Sequence, residues 1–302
     1  MVLRMMIKLS LVFIVFFNRV NSQVAVTFQS TDAVAGDDAR LECAFNLETR
    51  TYRASFLIQS DVDGNQRDTL VGSSSTSAPG SKYRVEEDLT NNRVFFVITN
   101  TTRSDEGYYL CVIQNSGLDV TSNDLAKLTV QFIDTVTIDV IPNPVTEGNN
   151  VTFNCSVNAN PIPTITLLKD DTEVKSETSS NLTYKLYSVD KRNGGNYKCK
   201  ASNIAGTNTS PIKVLDVQYS PEITLPDNMT VAPGGNAFIE PNVLANPDDI
   251  TYKWITDHPG IDDVDSNPAT LTFKVPDVVY TITVTATNSI GSTTESVMVI
   301  VA

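Results

Sequence analysis

The stretch that most constrains this chain is Asp105-Glu106-Gly107-Tyr108-Tyr109-Leu110-Cys111, with aspartate, glycine, tyrosine and cysteine at alternate positions. Gly107 lets the backbone turn sharply into a strand. Alternate side chains of a strand share a face, so Tyr109 and Cys111 are expected to enter one core together. The pattern recurs with losses at Asn193-Gly194-Gly195-Asn196-Tyr197-Lys198-Cys199, and in eroded form at Tyr280-Thr281-Ile282-Thr283-Val284, which lacks the cysteine. Three copies predict three repeated domains, and a chain of 302 residues has room for them.

Residues 1–22 are read as a secretory signal peptide. Arg4 and Lys8 precede the apolar run Leu9–Phe17, and Val20-Asn21-Ser22 supplies small residues for cleavage before Gln23. The apolar run at Val297–Ala302 is too short to cross a bilayer. The expected location is therefore extracellular, as a secreted protein or the ectodomain of a cell-surface one. From Gln23 onward apolar and polar residues alternate at period two, with turn residues every 8 to 12 positions or so and no sustained helical period. The fold class is all-β.

The Asp-x-Gly-x-Tyr-x-Cys motif, its repeats and the run Cys199-x-Ala201-x-Asn203-x-x-Gly206 resemble the immunoglobulin superfamily. The resemblance implies three tandem immunoglobulin-like β-sandwiches after the leader. Residues 23–132 would form a variable-type domain, 133–219 an intermediate-type domain, and 220–302 a cysteine-less immunoglobulin-like or polycystic-kidney-disease-type domain. Tyr109 would be a tyrosine corner, its hydroxyl bonded back to upstream backbone. Repeat position pairs Cys43 with Cys111 and Cys155 with Cys199, as secretion allows. Arg84, 21 residues before Asp105, stands where such domains pair an arginine with the motif aspartate. The strand C tryptophan is absent from the first two domains, with Phe56 and Leu168 as its replacements. Trp254, the only tryptophan, holds that place in the third, where Pro241 and Val284 stand at the cysteine positions.

The leader carries three basic and no acidic residues, so the remainder has a net charge of −16, divided −6, −1 and −9 among the three domains. An acidic chain repels phosphate backbones and anionic membrane surfaces, so no nucleic acid partner is expected, and the short apolar runs give no direct membrane insertion in the chain as it stands. Little here meets the requirements of catalysis. The one histidine, His258, sits in a turn, and no free cysteine should remain. No enzyme and no cofactor are expected. Asp257, Asp262, Asp263 and Asp265 crowd one loop without a recognised metal spacing, and Asp61-Val62-Asp63-Gly64-Asn65 lacks the distal glutamate of a calcium loop. Both are read as solvated turns, with no metal.

Asn-x-Ser/Thr sequons stand at Asn100, Asn150, Asn154, Asn181, Asn208 and Asn228. Asn154, beside Cys155, is the least suited to modification; the other five are expected glycosylation sites. Asn100, the one site in the first domain, falls in the turn opposite the variable loops, which leaves the front of that domain bare. There, alternation turns Tyr108, Leu110, Val112 and Gln114 outward along one strand, beside Leu57 and Gln59 on the next. The matching positions are Lys198 and Lys200 in the second domain, and Thr283, Thr285 and Thr287 in the third. A contiguous apolar patch on the first domain alone points to contact with another protein.

The resulting expectation is an extracellular recognition or adhesion protein. It would bind a protein partner on another cell or in the extracellular space through this front sheet, with like-with-like binding as a specific option. The tandem order and the Asn- and Thr-rich sequence resemble invertebrate allorecognition receptors. The competing classes are a soluble secreted immune or carbohydrate-binding factor, which acts without an anchor, and a passive matrix scaffold, which needs no dominant patch.

Overall fold

The computed structural model describes residues 25–46, 52–59, 69–73, 81–88, 90–115, 118–122, 124–257, 269–273 and 278–302. The leader lies outside them, as do His258, Asp262, Asp263, Asp265 and the Asp61–Asn65 turn. Helix among the described residues is confined to two short 3-10 turns, Arg103–Asp105 and Lys191–Asn193. The chain is three tandem immunoglobulin-like β-sandwiches. The described residues divide into two compact units: those up to Asp134 with 159–163 and 202–207, and those of 135–158, 164–201 and 208–302.

The first unit carries strands β1 (Val26–Phe28), β2 (Thr31–Val34), β3 (Ala39–Phe45), β4 (Arg53–Gln59), β5 (Thr69–Ser73), β6 (Tyr83–Asp88), β7 (Arg93–Ile98), β8 (Gly107–Asn115), β9 (Leu118–Thr121) and β10 (Ala126–Ile133). The back sheet has the order β1-β3-β7-β6, and the front sheet runs β10-β8-β4-β5, with β2 parallel to β10 and β9 against β8. Between them Leu41, Cys43, Phe56, Phe96, Ile98, Cys111, Ile113 and Leu128 are fully buried or nearly so. The Cys43–Cys111 disulfide joins the two sheets. Phe56 lies opposite Cys111 in register and stacks on Phe96 at 4.9 Å, so it fills the missing tryptophan's place as expected. Past Gly107, the first residue of β8, β10 pairs with β14 (Ala159–Asn160).

In the second sandwich, β11 (Thr137–Ile141), β13 (Val151–Ser156) and β17 (Asn181–Leu186) make one sheet. β16 (Thr172–Thr178), β15 (Thr164–Lys169), β18 (Gly195–Asn203) and β19 (Gly206–Thr209) make the other, with β20 (Lys213–Leu215) also on β18. The Cys155–Cys199 disulfide crosses between them. Leu168 does not replace the tryptophan. A register shift falls between Leu167 and Leu168, and Leu167 continues the inward alternation begun by Ile165. Leu167 is fully buried and Leu168 only half-buried.

β12 (Val145–Thr146) runs parallel to β21 (Val217–Thr224), which continues into the third sandwich and pairs with β24 (Asn242–Asn246). That sandwich also contains β22 (Met229–Val231), β23 (Asn236–Ile239), β25 (Thr251–Thr256), β26 (Ala269–Thr272), β27 (Val278–Thr287) and β28 (Ser292–Val301). Its sheets are β22-β28-β27-β25 and β23-β26. Trp254 lies opposite Val284, as Phe56 lies opposite Cys111. It is buried among Ile239, Phe273, Ile282 and Val284, so apolar side chains occupy the place of the bridge. Pro241 is buried as well.

Candidate functional site

The front sheet brings the predicted residues onto one face. β4 and β8 pair antiparallel with Leu57 opposite Leu110, Gln59 opposite Tyr108 and Ser55 opposite Val112. Directly opposed residues have Cβ atoms roughly 5 Å apart, so Leu57 and Leu110 are side-chain neighbours. The inward set Tyr109, Cys111 and Ile113 is at most 1% exposed, which fixes the parity of the outward set. On the flanks Lys127 stands opposite Tyr108, and Thr121 opposite Val112. At the far end Gln114 donates to the Asp119 carboxylate at 3.3 Å. Leu57, Tyr108, Leu110, Val112 and Gln114 are each half-buried rather than freely exposed. In a row of long side chains, each shields its neighbours. The Gln59 side chain lies outside the described residues.

The back sheet treats its outward apolar side chains differently. Val97 and Phe95 point away from the core, yet they are 2% and 8% exposed. Charged residues on both neighbouring strands fold over them. Arg40 lies flat on the Phe95 ring, 3.5 Å from its centroid, and its guanidinium also meets Glu86 at 3.2 Å. Arg84 bridges Glu86 at 3.1 Å and Asp38 at 3.6 Å, and Arg93 reaches Glu42 at 3.3 Å. Each exposed pair contributes little alone, but together the arginine stems cover apolar surface. The back face is thereby sealed by ions from its own sheet.

This lattice also explains why Arg84 misses Asp105. In register with Val97, Arg84 faces outward, whereas Tyr83 pairs with the buried Ile98 and enters the core. Asp105 instead takes Lys82, at 2.7 Å, and the Tyr83 hydroxyl, at 3.0 Å. The Thr102 backbone N–H and hydroxyl donate to the same carboxylate at 2.7 and 2.8 Å. Burial alone would raise the Asp105 pKa; these four donors outweigh it and hold the carboxyl below its ordinary value. Tyr109 donates to the Asp105 carbonyl at 2.6 Å, and Tyr197 to the Asn193 carbonyl at 2.9 Å. Both tyrosine corners are thus made. In the third sandwich Ile282 holds that position and has no hydroxyl to offer.

Of the sequons, Asn100, Asn150, Asn181 and Asn228 are exposed, and Asn208 is half-buried. Asn154 is exposed as well: next to an inward cysteine, alternation must turn it out. The expectation that only the first domain shows apolar surface needs correction. Among the described residues, the large apolar side chains that are exposed rather than half-buried all lie between Ile141 and Ile300. Lys198, Lys200, Thr283, Thr285 and Thr287 do make polar strands, but Ile255 projects opposite Thr283, and Val279, Met298 and Ile300 project at the other end of the same sheet. The strand F motif points to the threonines alone; their apolar neighbours sit on other strands or at the strand's start, where no motif marks them. Among the described residues no group of three or more potential metal ligands comes together, and no helix is long and apolar enough to cross a membrane.

Residues 27–131 match the Immunoglobulin V-set domain family, and residues 136–203 match the Immunoglobulin domain family. The chain is 25% identical over 243 residues to Cell adhesion molecule 4 of Homo sapiens, across 76% of this chain and 60% of that protein. It is 30% identical over 159 residues to the Limbic system-associated membrane protein of Gallus gallus, across 51% and 44% respectively. Against Leucine-rich repeats and immunoglobulin-like domains protein 1 of Homo sapiens it is 31% identical over 137 residues, which is 44% of this chain but 12% of that one. The chain thus spans less than two thirds of each of these relatives. A structure of three titin immunoglobulin domains superposes with a TM-score of 0.62 at 18% identity, covering 92% of this chain and 98% of that one, a likeness of fold.

Proposed function

Since the chain belongs to the immunoglobulin superfamily, we propose that it is an extracellular recognition or adhesion protein whose first sandwich binds a protein partner through its front sheet. The observation that carries this reading is the contrast between the two faces of that sandwich. On the back, Phe95 and Val97 are covered by Arg40, Arg84, Glu86 and their partners. On the front, Leu57, Leu110 and Val112 lie in adjoining rows with Tyr108, and no ion pair among the described residues is laid across them. A sheet face left without such a cover is where a partner's apolar side chains gain most by excluding water. Aromatic and aliphatic anchors at the centre of such a patch carry most of the binding energy. The adhesion and membrane proteins among the relatives agree with this use. Like-with-like binding is the specific form proposed, and the leader read in residues 1–22 supports an extracellular location, as a secreted protein or an ectodomain.

Beads coated with the full chain test it. Wild-type beads are expected to aggregate, Leu110→Arg to weaken self-binding by roughly thirtyfold or more, and Arg40→Ser on the back sheet to leave it unchanged. Binding to a different protein that is lost in Leu110→Arg would keep the front sheet and remove the like-with-like form. A folded Leu110→Arg, Val112→Arg protein that binds as wild type does would refute the front-sheet assignment.

A further inference from the structure

The outward face of the β22-β28-β27-β25 sheet divides into two chemically different ends. At one end three cross-strand rows are closed by hydroxyl pairs: Thr283 with Ser296 at 2.9 Å, Thr285 with Thr294 at 3.0 Å and Thr287 with Ser292 at 2.8 Å. At the other, Val279 stands opposite Ile300 and Thr281 opposite Met298. Val279, Met298 and Ile300 are 49%, 44% and 38% exposed, a compact apolar group. β22 forms the edge beside these last two rows, with Thr230 paired to Ile300. Met229 and Val231 pack on the core, so Asn228 and Thr230 share the outward parity of Met298 and Ile300. Asn228-Met229-Thr230 is a sequon, and its two essential side chains flank the two apolar rows.

We propose that an N-linked glycan on Asn228 lies over Val279, Met298 and Ile300 and is the cover of this face. The Asn228 Oδ1 accepts the Met298 backbone N–H at 3.0 Å, which fixes the carboxamide and leaves Nδ2 as the atom to be modified. Attachment forms a bond from Nδ2 to the anomeric carbon of N-acetylglucosamine, supplied as a lipid-linked oligosaccharyl diphosphate. The bond from that carbon to the diphosphate oxygen breaks, the diphosphate leaves with the electron pair, and one amide proton passes to a base of the transferase. The carbonyl is untouched, so the bond to Met298 survives. The C–H faces of the first sugars then meet the three apolar side chains, while their hydroxyls face water. No hydroxyl pair among the described residues does that work at this end of the sheet.

The proposal rests on passage through a secretory pathway, and the test separates the two. The full chain is expressed in secreting eukaryotic cells and its sequons are mapped by peptide mass spectrometry. Its apolar exposure is then read from the fluorescence of a hydrophobic dye. Asn228 is expected to carry glycan. Thr230→Ala, which abolishes the sequon but keeps the carboxamide, is expected to raise dye fluorescence several-fold; Thr230→Ser, which preserves it, is expected to match wild type. A Met298→Lys change in the Thr230→Ala background should remove the excess dye signal. Glycan at other sequons with Asn228 bare would overturn the proposal and leave the extracellular reading standing, whereas no glycan anywhere would overturn both. Unchanged fluorescence in a folded Thr230→Ala protein would also defeat it.

Discussion

Lys82, not Arg84, closes over the buried Asp105 carboxylate, with its ammonium 2.7 Å from Oδ2. Removing the charge leaves a buried acceptor short of a donor. Lys82→Met is therefore expected to cost about 1–3 kcal/mol, and Lys82→Arg to restore most of it. Arg84→Met, which breaks surface pairs with Asp38 and Glu86, should cost less than about 1 kcal/mol. Denaturant unfolding of the three variants, followed by circular dichroism, ranks them directly.

The same carboxylate sets an acid limit. Asp105 binds its proton less readily folded than unfolded, so protonation favours unfolding. Its contribution should be complete above the ordinary carboxylate value, about pH 4, and fade as pH falls through the lower folded value. Melting temperatures from neutral to acid pH should decline less steeply in Asp105→Asn, though from a lower starting point.

The two tyrosine corners make a matched pair. Tyr109→Phe and Tyr197→Phe each delete one hydroxyl and its bond to a backbone carbonyl, at an expected cost of roughly 1 kcal/mol apiece. Burial pushes Tyr197 up to about 12. A folded-state value above the unfolded one stabilises below the ordinary tyrosine pKa, near 10. That stabilisation is lost as pH rises through the folded value, so alkaline melting should be flatter in Tyr197→Phe.

Within the second unit, Asn288 donates to the Tyr219 and Pro247 carbonyls, both at 2.9 Å, and Asn246 to the Val217 carbonyl at 2.8 Å. These bonds hold β21 where it passes from the second sandwich into the third. Asn288→Ala leaves two carbonyls without their donor and should cost about 1–3 kcal/mol. Faster limited proteolysis near Tyr219-Ser220-Pro221 is the expected reading.

Much of the architecture could be read from the repeated motif and the family resemblance it carries. The position of each cysteine within its motif copy indicated both disulfides, and the strand C place that the resemblance assigns indicated Phe56 opposite Cys111 and Trp254 opposite Val284. The misreadings are parity errors or cross-strand effects. Distance along the chain pairs Arg84 with Asp105, but Tyr83 and Val85 on either side of it both pack on the core, so alternation carries Arg84 to the other face. Leu168 follows the buried Leu167 directly, so alternation from Ile165 turns it away from the core. The cover over Phe95 needs Arg40 and Glu86 from two different strands. Such neighbours are known only once the sheet is paired.

Trp254 is the chain's only tryptophan, and it is 1% exposed in the third core. Trp254→Ala should cost about 3–5 kcal/mol in that sandwich. Its emission is therefore a local signal: a red shift under denaturant marks water entering the core without a disulfide. The two bridged cores are silent in this channel, being lined by phenylalanine and tyrosine. Where the tryptophan transition separates from circular dichroism, the gap measures how independently the third sandwich melts.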